Sequence, residues 1–174
     1  MRNTYHPMGY DENLCPLTEG EVSYNASASV FLANLVQWFS VKERADMCLR
    51  IVEKAESLQD FSSMRVLDRH FYYQNLIQFY YKLRDRDGVL EKVIGLCHDA
   101  IAIAPKVARA FKTDEVLNQL PRHVAFEQLA IIEKKRKNWG EVIKICETAK
   151  KQKWAGTWDA RIFEAKKGLE KQNT

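Results

Sequence analysis

Four cysteines and four histidines are the side chains here best suited to metal binding or nucleophilic chemistry. Their spacing argues against both. No CxxC pair occurs, and Cys97 and His98, neighbours on a helical stretch, point about 100° apart. Metal-ligand spacing is therefore missing, and no metal or cofactor is expected. Cys48, Cys97 and Cys146 fall at apolar positions of helical segments, where a thiol behaves as a small buried hydrophobe. Cys15 stands apart in an irregular segment. His6, His98 and His123 have no partner spacing. The sequence holds no Gly-rich phosphate loop, GxSxG or HExxH.

His70 needs separate weighing. Arg65-Val66-Leu67-Asp68-Arg69-His70 resembles the Arg-x4-His arrangement of the small all-helical ribonucleases of toxin systems, where the two side chains converge on a phosphate. That resemblance implies an alternative function: a nucleic-acid-binding or RNA-cleaving helical protein of a toxin or defence type, using Arg65 and His70. Two features oppose it. Residues five apart on a continuous helix sit about 140° from each other, so convergence needs a break. Val66 also stands where that family favours a polar residue. The chain is expected to be no enzyme, with His70 an ordinary helix-surface or interface residue.

Two basic runs could hold anions. Lys134-Lys135-Arg136-Lys137 and Lys150-Lys151-Gln152-Lys153 each end a helical segment. Cations there complement the helix dipole, which is reason enough for both. As binding sites they suit an acidic protein partner better than nucleic acid, since phosphate contact without a reading element is weak and salt-sensitive. A third cluster is aromatic: Phe71-Tyr72-Tyr73 and Phe79-Tyr80-Tyr81. These rings cover almost the whole circumference of one helix. Either they serve a second interface or a peptide groove, or that helix is central and buried on several sides.

The elements that must carry these residues are helical. Residues 1–17 are irregular, with His6-Pro7, Gly9 and Cys15-Pro16. Thr18-Glu19-Gly20-Glu21 has capping-box spacing and opens a helix running to about Phe39. Apolar residues at steps of three and four predict further helices over about 41–58, 63–84 and 89–104, the last closed by Pro105. Short helices are expected over 106–112 and 113–120. Longer ones follow at 122–136, 141–153 and 158–171. No stretch alternates long enough for a strand.

With 174 residues, 46% of them hydrophobic and 29% charged, the chain has the material for one folded domain. Seven Gly and four Pro are too few for a barrel or sandwich of many short strands. The longest apolar stretch, Val30 to Phe39, is interrupted by Asn34 and Gln37, and falls far short of the roughly 20 residues of a membrane span. The first residues lack the apolar core of a secretory signal. A soluble protein of a reducing cytoplasm, with free thiols, is the expectation. Net charge is +4, unevenly spread: residues 1–60 carry 5 basic and 9 acidic groups, and residues 121–174 carry 13 and 7. Such asymmetry steers a charged partner and also permits head-to-tail pairing of two copies.

The strongest internal signal is a spacing. Cys48, Cys97 and Cys146 lie 49 residues apart, twice over. The same shift superposes Met47, Leu96 and Ile145, and Ile51, Ala100 and Ala149. It also superposes Phe31, Tyr80 and Leu129. Three copies of a helix pair give this register. In the last copy Phe126, Leu129-Ala130, Trp139, Val142, Cys146 and Ala149 stand at packing positions that resemble the tetratricopeptide repeat. The match is best over 122–154 and weaker over 72–105. The period of 49 departs from that family's 34.

The resemblance implies an all-α fold: a right-handed stack of antiparallel helix hairpins, a tetratricopeptide-like α-solenoid of about seven to nine helices. Residues 18–174 would form one domain, with repeats over 18–60, 63–112 and 113–154 and a capping helix over 157–171. Trp139 would wedge between the helices of the last hairpin. The implied function is a scaffold that binds a peptide or protein, with acidic character, on its concave face. That face would hold Tyr72, Asn75, Phe79 and Lys82 from the second copy. Gln128, Ile131, Lys134 and Lys135 would join them from the third.

Overall fold

The computed structural model describes residues 26–39, 43–112 and 120–172. The irregular start, the capping box at Thr18, Cys15, His6 and all but Leu120 of the short helix expected over 113–120 lie outside them. Within them the fold is helical: α1 (Ala28–Leu35) with a 3-10 turn over Val36–Trp38, α2 (Ala45–Ser57), α3 (Val66–Lys82), α4 (Val89–Lys112), α5 (Val124–Lys135), α6 (Trp139–Lys151) and α7 (Trp158–Gln172). No described helix is long and apolar enough to cross a membrane.

Helix ends follow local chemistry. In α6, Glu141 sits in the first turn and Lys150 and Lys151 in the last, each complementing the dipole. The turn before it closes α5 with a left-handed residue, Lys137 at φ 57°. The Asn138 amide then donates to the Glu133 carbonyl at 2.9 Å, and the Asn138 side chain donates to the Glu133 carboxylate, also at 2.9 Å. A buried acid is thereby satisfied.

Two expectations need correction. Pro105 does not end its helix: α4 runs through it to Lys112. Proline removes one main-chain donor, but its ring is exposed while Ala104, Val107, Ala108 and Phe111 are buried. Burying that continued face outweighs one lost hydrogen bond. A small parallel sheet also exists, β1 (Leu120–Arg122) beside β2 (Trp154–Ala155), with Leu120 opposite Trp154. Segments of three and two residues are too short to show a period-two pattern.

The core is continuous through α3. That helix packs on α1, α4 and α5 and on the 3-10 turn. Its buried residues are His70, Tyr72, Tyr73, Asn75, Leu76, Ile77, Phe79 and Tyr80, which surround most of its circumference. Of the six aromatic residues of the cluster, Tyr72, Tyr73, Phe79 and Tyr80 are buried on several sides, while Phe71 is exposed and Tyr81 half-buried. Farther along, α4 packs on α5, α5 on α6 and α6 on α7. Cys48, Cys97 and Cys146 are all buried, on α2, α4 and α6. Trp139 is half-buried and lies flat on α7, where a Cβ on Gly168 would come within 2.5 Å of its ring.

Candidate functional site

The face expected to bind a partner is divided by the fold. Tyr72, Asn75 and Phe79 are at most 8% exposed and line no surface, because α1 and the 3-10 turn cover that side of α3. Gln37 from that turn donates to the Asn75 carbonyl at 2.9 Å, and Phe61 packs edge-on against Tyr72. Lys82 is exposed, but its charge acts on Cys48 of α2. Gln128 and Ile131 are half-buried on α5.

Lys134 and Lys135 remain together on the surface at the end of α5. Lys135 donates to the Tyr81 hydroxyl at 3.1 Å, and Arg84 stacks over the same ring at 4.6 Å. Lys134 pairs with Glu164 of α7 at 2.5 Å. On α7, Lys167 covers the ring of Phe163, which is 62% exposed. Lys135 thus ties α5 to the Tyr81 ring of α3, and Lys134 ties it to α7 through Glu164.

A second constellation was invisible in the sequence. β1 delivers His123 to the N-cap of α5, and β2 sets Trp154 beside it. His70 enters from α3. The two imidazole centres are 4.9 Å apart. Trp154 stacks on His70 at 6.1 Å and meets His123 edge-on at 4.6 Å, while Phe111 closes on His70 at 5.7 Å. Both histidines are at most 2% exposed, and none of their four ring nitrogens has a hydrogen-bond partner. The small recess at the pair is lined by Gln74, Ile77, Ala100, Val124 and Ala125.

Burial in this apolar box disfavours the charged imidazolium. It pushes His70 down to about 4. His123 falls to about 3, again mainly by burial, with His70 adding to the shift and its own main chain opposing it. No carboxylate stands among the residues lining the pair. Both rings are therefore neutral at pH 7, each with one donor and one acceptor nitrogen.

The pairing of His70 with Arg65 is not observed. Arg65 caps the start of α3 with extended backbone, its side chain 66% exposed and joined to Asp68 at 2.8 Å. α3 then continues unbroken to His70 and beyond, so the geometry leaves the two side chains apart. The thiols are held protonated: burial pushes Cys97 up to about 12 and Cys146 up to about 11. Among the described residues no three His, Cys, Asp or Glu side chains gather as a metal cluster. His123 was passed over in the sequence because its partner comes from another element. Proximity set by a two-strand ladder leaves no spacing to read.

No protein-family model, curated protein or solved structure matches the chain.

Proposed function

We propose that this chain is a non-enzymatic interaction module, a short stack of helix hairpins of tetratricopeptide-like kind that binds an acidic peptide or protein. The hairpins are α1–α2, α3–α4 and α5–α6, with α7 as the cap. Three features support the stack. Consecutive helices pack on one another from α3 to α7. Gly88 and Lys137, 49 positions apart, both take left-handed backbone, at φ 68° and 57°, just ahead of α4 and α6. At the same shift Cys97 and Cys146 are both buried, as are Ile77 and Phe126, and Tyr80 and Leu129.

The observation that carries the binding reading is the side-chain series across α3, α5 and α7. Lys135 rests on Tyr81 and Lys134 pairs with Glu164, so the exposed lysines lie between the Tyr81 ring and α7, which carries the exposed Phe163 under Lys167. Aromatic anchors flanked by cations suit a partner with carboxylates and a bulky apolar side chain. Nucleic acid fits less well, because part of this surface charge is already neutralised by Glu164. The reading carries with it a reducing cytoplasm, where the buried thiols stay free.

A pull-down from lysate with mass spectrometry identifies the partner, and charge reversal tests the face. Lys134→Glu with Lys135→Glu is expected to weaken capture about tenfold or more and to flatten its salt dependence. Undiminished capture by this variant, with loss on reversing Lys144 and Lys151 of α6, would place the partner elsewhere.

A further inference from the structure

We propose that His70, Gln74 and His123 form a binding site for one d10 transition-metal ion, with univalent copper the ion it suits best. The inference stands apart from the protein-binding reading and starts from an imbalance of partners. Arg69 and Gln128 each leave one buried side-chain nitrogen without a partner, whereas near the other end of α3 the polar groups satisfy one another. Tyr80 donates to Glu56 at 3.2 Å, and Lys92 donates to both, at 2.7 Å to the hydroxyl and 3.0 Å to the carboxylate. The two histidines satisfy nothing, although both are almost fully buried. A buried polar group without a partner calls for an explanation, and a bound ion is one of the recognised ones.

The two rings meet edge to face with planes 64° apart, at a spacing that ligands of a shared ion also have. Imidazole binds zinc-like ions at about 2.0–2.1 Å, which sets the ion about 3 Å from each ring centre. Two rings on one tetrahedral ion then have centres about 5 Å apart. The observed separation is 4.9 Å. Gln74 supplies the third group: it follows His70 by four residues on α3, so both lie on one helix face, and it lines the recess with both histidines. Its carboxamide oxygen is a neutral but hard ligand, so the two imidazoles carry the affinity for copper.

Charge decides which ion. The remaining lining residues, Ile77, Ala100, Val124 and Ala125, are apolar, and no lining residue is anionic. The cost of burying an ion grows as the square of its charge, so a univalent ion bears about one quarter of the divalent penalty. Imidazole suits both copper and zinc, and without a carboxylate the balance tips to univalent copper. Trp154, stacked on His70 with planes 13° apart, is a built-in reporter.

The test uses the full chain, anaerobically, in a Cys15→Ser background that removes the thiol outside the described core. Univalent copper is competed against a chromogenic chelator, and Zn2+ is titrated alone in a parallel arm. The expected result is one equivalent of copper, quenched tryptophan emission, and affinity lowered about tenfold or more by His70→Phe or His123→Phe. Gln74→Leu is expected to give a smaller loss. Should the phenylalanine variants fail to fold, imidazole 15N shifts of the parent chain decide: copper must move the His70 and His123 signals and leave His98 in place. The site is overturned if no stoichiometric copper binds, if both variants bind as the parent does, or if only His98 responds. Zinc bound as tightly as copper at the same histidines overturns the charge argument.

Discussion

The two ends of α3 solve the same problem in opposite ways. Each end sets a buried polar side chain of α3, Tyr80 or His70, against neighbouring helices. At the C-terminal end Tyr80, Glu56 and Lys92 form a closed set of hydrogen bonds joining α2, α3 and α4. At the N-terminal end His70 and His123 are held by packing, from the rings of Phe111 and Trp154 and from aliphatic residues such as Ile77 and Ala100. One end is fixed by directional partners, the other by shape. A satisfied network resists loss of one ring contact, whereas a packed box depends on every wall. The difference also separates their chemistry: the ring nitrogens at the histidine end have no hydrogen-bond partner.

Removing a wall of the box tests this first. Trp154, 2% exposed, touches His70, His123 and Phe111, so Trp154→Ala is expected to cost about 3–5 kcal/mol. Urea unfolding followed by circular dichroism measures it. A loss under about 1 kcal/mol would mean that the box is not closed.

Acid titration probes the same contrast in metal-free buffer. His70 has its pKa lowered to about 4 in the fold, so the unfolded chain takes up its proton first. Its stabilisation is complete above the unfolded value near 6.5 and is lost as pH falls toward 4, by ~3 kcal/mol for this ring alone. His123, lowered to about 3, extends the loss further. The other end has the reverse sign. Burial, then the Glu56 charge, raises Tyr80, so its contribution is complete below pH 10 and fades only in strong alkali. Denaturation midpoints should therefore drop between pH 6.5 and 4 in the parent chain. They should drop much less in the His70→Phe, His123→Phe double variant.

The smallest effect belongs to the satisfied end. Tyr80→Phe keeps the ring and deletes only the hydroxyl shared by Glu56 and Lys92, whose partly exposed partners turn to water. The expected cost is about 1 kcal/mol. A loss as large as that of Trp154→Ala would erase the contrast.

How much of this was legible in the sequence differs by region. α6 and α7 follow from their own apolar steps and terminal charges, and start within two residues of expectation. The aromatic residues of α3 showed that its sides were all apolar but not what covered them. Tyr72, Asn75 and Phe79 thus read as a surface, because the covering turn at Val36–Trp38 belongs to another element. Pro105 misled by its local rule, which packing of the following turn overrides. The histidine pair was beyond reach, since only the pairing of β1 with β2 brings His123 under Trp154.

The central claim is that His70 and His123 are sealed from water, neutral and unpartnered. Imidazole nitrogen shifts of the 15N-labelled, metal-free chain, recorded from pH 7 down to 5.5, test it directly. The account predicts that both rings keep the spectrum of a neutral imidazole throughout that range while the chain stays folded. Ordinary titration of both rings near pH 6.5, in a chain still folded, would contradict it.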